Sequence, residues 1–580
     1  MKPKPSLITT GLLLILASLV SAACASSATP QVVKETVVVE KEKIVEKPVE
    51  VTKVVEVEVE KQVEVLITAT PAAGPRQGGT VRVVGGFSDL GNFNPYSVTG
   101  PRNIYGLLFN RLIRLDANQE IQPDLADSWE ISPDGLVYTF KLHPGVTWHD
   151  SYPFTAKDVA FTIRSHLDKR TNSAWTPPFL VIQGAKEFYE GKADDVPGIE
   201  VVDDLTIRFT LAEPNSAFLT AFLTPPMLPE HLLGTIAPEE IKKSAFATAH
   251  PIGTGPFKFV SYATDQYVEL VRNDDYFRGV PNLDKIFLIR AEYEPAKVML
   301  QKGEADVLDV TPLDVPSLKE KGDIQFYEVS TIGDYFVLNF CVGEPCNPPI
   351  APKELRQAML YALDRDQVKA VRQGDKGVLI DTLLMPPWAL DNCELPNDYT
   401  YNPERAKELL QKINWDPNQE LTIIHSGGWR ENAITVMQQM WAAVGLKVKQ
   451  EKIEWAQDRE RVKDGTYQMR VDWPEQGTDP DFLSIYFGEF YPEGNNQPRY
   501  RNPELDQLFI DGRKATDRAE RARIYCQIAQ IINEDLPWAP LFTNAQIYGF
   551  SSRLQGVEIG HNTDYGWDLW RNVQQWWVNE

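Results

Sequence analysis

Forty-one residues, Pro123 to Ile163, constrain the fold more than any other stretch of the chain: PDLADSWEISPDGLVYTFKLHPGVTWHDSYPFTAKDVAFTI. Leu136, Tyr138, Phe140 and Leu142 alternate with Val137, Thr139 and Lys141, the two-residue period of a strand with one buried face. Ser132-Pro133-Asp134-Gly135 places proline second and glycine fourth in a turn of four. The pattern predicts a β-hairpin built from Trp129–Ile131 and Leu136–Leu142. A second turn at His143-Pro144-Gly145 leads to Trp148 and then to a helix start. Thr155 is placed to cap, Asp158 sits three residues on to reach back, and Phe154 can pack on Val159.

Read position by position, the stretch matches P-D-L-A-x-S-W-E-x-S-x-D-G-x-x-Y-T-F-x-L-x-x-G-V-x-W-H-D followed by P-F-T-A-x-D-V-x-F. In this it resembles the large solute-binding proteins of ABC importers, family 5, whose members bind dipeptides and oligopeptides. The resemblance recurs at His250–Phe257 (P-x-G-T-G-P-F), Lys297–Asp306, Leu355–Arg365 (close to V-R-Q-A-x-x-Y-A-I-D-R), Tyr401–Leu410, Trp441–Val448 and Arg499–Leu541.

A chain of 580 residues exceeds what one hydrophobic core supports and predicts two or three domains. Residues 1–30 carry only Lys2 and Lys4, and residues 31–70 carry six lysines against nine glutamates, so nearly all of the net charge of −23 falls on the body. Such an acidic body argues against nucleic acid or anionic lipid as a partner.

Residues 1–24 read as a secretion signal: two lysines, an apolar run from Leu12 to Val20, then small residues. The run is too short to span a membrane. Its end, Ser21-Ala22-Ala23-Cys24, resembles a bacterial lipoprotein cleavage site, with Cys24 as the lipidated residue and Ser21 where leucine is usual. Residues 25–78 form a stalk and linker, of which Gln31–Thr70 is dominated by valine, glutamate and lysine. Val37, Ile44 and Val51 are seven apart, which hints at a coil. Pro48 and the many β-branched residues oppose a stable helix, and an extended stalk is expected.

The resemblance implies an α/β, two-lobed, periplasmic-binding-protein-like fold of type II with an extra domain. The expected boundaries are 79–112, 253–332 and 546–580 for lobe I, 113–252 for the extra domain and 333–545 for lobe II. Solute would be held in a cleft and handed to ABC permease subunits, with the membrane reached through the lipid at Cys24.

No H-E-x-x-H, G-x-S-x-G, G-x-x-x-x-G-K or paired C-x-x-C occurs, so no enzyme, cofactor or metal is expected. His149-Asp150, inside the hairpin signature, is expected to fix a turn. A binding cleft needs aromatic faces and a few fixed polar groups. Trp388, Trp429 and Trp473 are the aromatic candidates, each as fit for core packing. By the resemblance, Asn94 and Tyr105 lie in the first cleft-lining loop and helix, and Arg430 stands roughly where dipeptide binders meet the solute carboxylate. The W-x-x-D-x-x-D-P segment, whose aspartate pairs with a peptide's amino group, reads Trp473-Pro474-Glu475-Gln476-Gly477-Thr478-Asp479-Pro480 here. Gln476 stands at the aspartate position, so Glu475 or Asp479 would have to supply the charge, or the solute is an oligosaccharide. The terminal tryptophans Trp567, Trp570, Trp576 and Trp577 are expected to close the core.

With Cys24 acylated, Cys341, Cys346, Cys393 and Cys526 allow three pairings. Cys341 and Cys346 flank the turn-rich Val342-Gly343-Glu344-Pro345 and are the favoured pair. Two readings from other classes are a secreted hydrolase, which turnover would reveal, and a chemosensory or adhesive surface protein, which a protein partner would reveal.

Overall fold

In the computed structural model of the chain the described residues are 75–85, 90–97, 104–118, 120–320, 323–346, 350–383, 386–390, 392–474, 477–488, 496–559 and 567–579. The signal segment, Cys24 and nearly all of the stalk lie outside them, as do Glu475 and Gln476. No helix among the described residues is long and apolar enough to cross a membrane.

Ten strands form one mixed sheet around a ribbon of two long antiparallel strands, Ile324–Phe340 and Trp538–Ser551. Outward from Trp538–Ser551 follow Val307–Val310, Thr80–Gly85, Lys285–Arg290, Tyr267–Arg272 and Phe257–Ala263. Outward from Ile324–Phe340 follow Met469–Asp472, Glu420–His425 and Lys447–Lys452. The ribbon runs through both halves, paired from Ile324 with Ser551 to Asn339 with Trp538, and its register shifts between Ser330 and Tyr335 and again between Phe336 and Val337. Such irregularities bend a strand and sharpen its twist. One pair of strands therefore serves a lobe on each side of the break.

Alternation along the strands decides which side chains meet which core. In the first lobe Val81 and Val83, in register with Ile286 and Leu288, face a core closed by Leu107, Phe109, Trp570 and Trp576. Val84 points the other way, onto Ala296 and Leu300 of helix Tyr293–Gln301. In the second lobe Phe336, Leu338 and Phe340 face Leu355, Met359 and Trp441, while Tyr335 and Val337 face Phe509, Tyr525 and Ile528. Strands buried on both faces need a nearly unbroken apolar run, and Tyr335–Leu338 is one. Cys341–Cys346 and Cys393–Cys526 are disulfides in this lobe, with Cα separations of 5.6 and 5.5 Å.

A separate four-stranded antiparallel sheet, ordered Ala126–Ile131, Val137–Leu142, Thr206–Thr210, Ile199–Asp203, forms the extra domain. Its hairpin turn closes as the Gly135 N–H donates to the Ser132 carbonyl at 2.8 Å. Helix Ala156–Leu167 starts with the capping box: the Thr155 hydroxyl accepts the Lys157 N–H at 3.3 Å and Asp158 accepts the Thr155 N–H at 2.8 Å. Trp148, Phe154 and Val159 are buried in a core that runs from Leu112 to Met227.

The expected end of this domain at 252 does not match its packing. Leu228, Leu233, Ile241, Phe246 and Ala247 belong to the first-lobe core, and all but Leu228 are carried by short helices outside the small sheet that bury their apolar faces there. The two bodies are knotted together at Gly253–Gly255. His149 Nε2 donates to the Gly255 carbonyl at 3.0 Å and its Nδ1 accepts the Gly253 N–H at 3.2 Å. A Cβ on Gly253 would lie 1.7 Å from the Leu108 carbonyl oxygen, so only glycine fits at that point of the P-x-G-T-G-P-F stretch. The extra domain also reaches the second lobe, where the Ser216 N–H and hydroxyl donate to the Arg513 carbonyl at 2.8 and 3.1 Å.

Candidate functional site

At the break in the ribbon, Phe336 is the centre of an aromatic wall. Its ring centroid lies 4.6 Å from that of Trp429, 5.1 Å from Phe542 and 6.0 Å from Trp473. The Arg372 guanidinium stands 5.3 Å over Phe336 and 5.0 Å over Trp429, and Arg430 stands 5.1 Å over Trp429. Cations over aromatic faces are attracted by the ring quadrupole. Trp429 and Arg430 are delivered by the turn after strand Glu420–His425, where His425 Nδ1 accepts the Gly427 N–H at 3.0 Å. Gly427 and Gly428 take φ of +88° and +64°, a region that favours glycine, and helix Trp429–Ala443 begins directly after them.

Trp473 comes from the end of strand Met469–Asp472 and is 36% exposed, unlike the core tryptophans. Asp472 fixes it: Oδ1 accepts the Trp473 N–H at 2.9 Å, and Oδ2 accepts from Arg470 at 2.7 Å and Asn339 at 3.1 Å. Arg470 also meets Asp458 at 2.9 Å, and these two carboxylates outweigh the burial that opposes its charge, so its pKa stands above the ordinary value. Arg430 is different. It is half-buried, no carboxylate pairs with it among the described residues, and burial pulls its pKa down. The wall therefore presents aromatic rings and a guanidinium with no ion-pair partner among the described residues, while Asp472 is engaged by Arg470.

The other expected site residues lie elsewhere. Asp479 caps the turn Pro480–Leu483, accepting the Asp481 N–H at 2.9 Å, and both of its oxygens are held by Arg521 at 2.9 and 2.8 Å. The Arg521 fork thus engages both oxygens of Asp479. Trp388 belongs to the same group, with Arg518 and Arg521 standing 5.2 and 5.4 Å over its ring. In the first lobe Asn94 shapes a turn, its Oδ1 accepting the Tyr96 N–H at 3.2 Å, and the Tyr105 hydroxyl donates to the Asn94 carbonyl at 3.2 Å. Tyr105 is 2% exposed, packed edge-on against Phe109, so its ring is core. Glu475 and Gln476 are outside the described residues.

Of the residues expected from the sequence, Trp429, Arg430 and Trp473 come together here, joined by Phe336, Phe542 and Arg372, which the sequence did not single out. The first two sit in apolar strands and read as core; nothing local marks Arg372, on helix Arg365–Gln373, as facing them. Among the described residues no group of three or more His, Cys, Asp or Glu is placed to hold a metal ion.

Two lobes strung on one ribbon, with an aromatic and cationic wall at the break, define a two-lobed solute binder of the periplasmic-binding-protein kind. The profile of bacterial extracellular solute-binding proteins, family 5, matches residues 120–495, and the chain belongs to that family. It is 32% identical over 510 residues to a Brucella abortus protein provisionally named an ABC transporter peptide-binding protein, covering 84% of this chain and 91% of that one. It is 30% identical over 488 residues to heme-binding protein A of Haemophilus influenzae, covering 79% and 86%. The structure of the oligopeptide-binding protein AppA of Bacillus subtilis, in complex with a nonapeptide, superposes with a TM-score of 0.73 at 26% identity, covering 87% of this chain and 100% of that one.

Proposed function

We propose that the chain captures a peptide or peptide-like solute between its lobes and delivers it, unaltered, to the permease subunits of an ABC importer. The observation that carries this reading is Arg430, a half-buried guanidinium on the Trp429 ring with no carboxylate partner among the described residues. A charge withdrawn from water calls for a counter-charge. The carboxylate of a peptide supplies it, and Trp429 and Trp473 offer faces for the neighbouring side chains. The name of the Brucella relative and the nonapeptide on the Bacillus protein favour the same class of solute.

Closure would turn on the break between Ser330 and Tyr335, with the lobes divided there and the Ser216–Arg513 contact made as the halves meet. The stretch Ser21–Cys24 supports a lipid at Cys24, with residues 25–78 as the stalk that holds the body off the membrane. Titration of the full-length protein with dipeptides, oligopeptides and oligosaccharides tests the reading. A micromolar peptide complex, about −8 kcal/mol, with the peptide recovered intact, is the expected result; stabilisation by oligosaccharide alone, or cleavage, overturns it.

A second reading rests on the 30% identity to the Haemophilus protein. A flat ring system bearing carboxylates would also lie against Trp429 and Trp473 and meet Arg430. A haem titration followed by absorbance separates the two.

A further inference from the structure

Strand Met469–Asp472 sends its side chains to two different places. Met469 and Val471 enter the second-lobe core, so by alternation Arg470 and Asp472 point to the opposite face. There Arg470 lies between two carboxylates: Nη2 donates to Asp458 Oδ2 at 2.9 Å and Nη1 to Asp472 Oδ2 at 2.7 Å. Asp458, on helix Trp455–Asp464, and Arg470 are each 2% exposed. Gln497 closes the group, its Oε1 accepting from Arg470 at 3.2 Å and from Asn339 at 2.8 Å. The Tyr467 hydroxyl stands 2.9 Å from both Asn339 Oδ1 and the Gln497 carbonyl. The helix, the strand, the ribbon and the segment at Gln497 therefore meet around one guanidinium.

Buried ion pairs return little net stability, because drawing the ions out of water costs about as much as their attraction gives. What such a group fixes is direction. Arg470 and Asn339 both hold Oδ2 of Asp472, which turns Oδ1 to the Trp473 N–H at 2.9 Å. Trp473 is the next residue, and its ring stands 6.0 Å from Phe336 on the wall while remaining exposed. A ring with so much of its surface in water is held less by its own packing than by the backbone that carries it.

We propose that Arg470 is a positioning residue for solute binding: acting through Asp472, it sets the angle at which the Trp473 ring faces a solute. The proposal deepens the reading of the aromatic wall as the solute site and rests on it. Arg470 itself is buried and acts only through these contacts.

The test uses the full-length protein labelled with 5-fluorotryptophan, in which Trp473→Phe and Trp148→Phe identify the two fluorine resonances. The double variant Asp458→Leu/Arg470→Met removes one charge of each sign, so no second carboxylate is stranded beside Asp472. Without solute, the Trp473 resonance should broaden or shift in this variant, with that of Trp148 unmoved as the mark of an intact fold. Asp472→Asn, which keeps the shape but cannot pair with Arg470 as an ion, should move the same resonance. Affinity for oligoalanine should fall roughly tenfold in the double variant. Adding Trp473→Ala to it should cost little more, since residues that act as one unit are not additive. A Trp473 resonance unmoved in both variants overturns the proposal, as do losses that add. A moved resonance in a protein whose native form binds no oligoalanine supports the positioning and overturns the reading of the wall as a peptide site.

Discussion

Trp148 in the extra domain and Trp473 on the aromatic wall both stand at the end of a strand or turn, yet their surroundings are opposite. Trp148 is 1% exposed, buried in the core of its own module and against His231, and Trp473 is 36% exposed against partners drawn from distant segments. The extra domain is settled by short-range contacts: Ser132 with Gly135, Thr155 with Asp158. The wall is assembled from Phe336, Arg372, Trp429 and Trp473 only once the second lobe has folded.

The largest effect separates those two roles. Trp148→Ala should cost about 3–5 kcal/mol of stability, as large-to-small changes in a closed core do, while Trp473→Ala should cost under about 1 kcal/mol. Denaturant unfolding of both variants checks this, and equal losses would break the comparison.

Acidity should act on the same divide. His166, fully buried in the extra domain, has its pKa pushed down by burial to about 3, and His149 to about 4 for the same reason. The unfolded chain then binds more protons than the folded one between the ordinary histidine pKa of 6.5 and those values, so stability falls as pH drops through that window. His166 alone should contribute a loss on the order of 2 kcal/mol between pH 7 and 5. Affinity at the wall should stay flat across the same range, because Arg430 keeps its charge. Melting curves and titrations at a series of pH values measure the two separately.

Smaller changes sharpen the picture. Thr155→Ala removes the helix cap and should cost about 1 kcal/mol, with Thr155→Ser nearly neutral. Ser216→Ala deletes one hydrogen bond between the extra domain and the second lobe. It should lower stability by roughly 0.5 kcal/mol, and in solution scattering it should raise the radius of gyration of the solute-free protein slightly.

How far the sequence could be read follows the same line. The hairpin, the capping box and the strand beginning at Thr80 were legible because their determinants lie within a few residues of each other. The ion pair on Asp479 was not, since Arg521, which engages both its oxygens, is far along the chain and marked by no local pattern. Phe336 and Phe542 look like ordinary strand interior, and nothing local marks Phe336, beside the register break, as the partner of Trp429 and Trp473. The packing of the short helices within 230–248 on the first-lobe core was not legible either, because nothing in their sequence indicates a partner lobe.

In the proposed function Arg430 answers the carboxylate of the solute. The direct measurement is calorimetric titration of the protein and of Arg430→Gln with a peptide ligand and with its C-terminal amide. The native protein should lose roughly 10–100-fold in affinity on amidation, as a charge-assisted hydrogen bond of about 1.5–3 kcal/mol implies, and Arg430→Gln should bind both forms alike at the weaker level. Retention by Arg430→Gln of full affinity for the free acid would contradict the account.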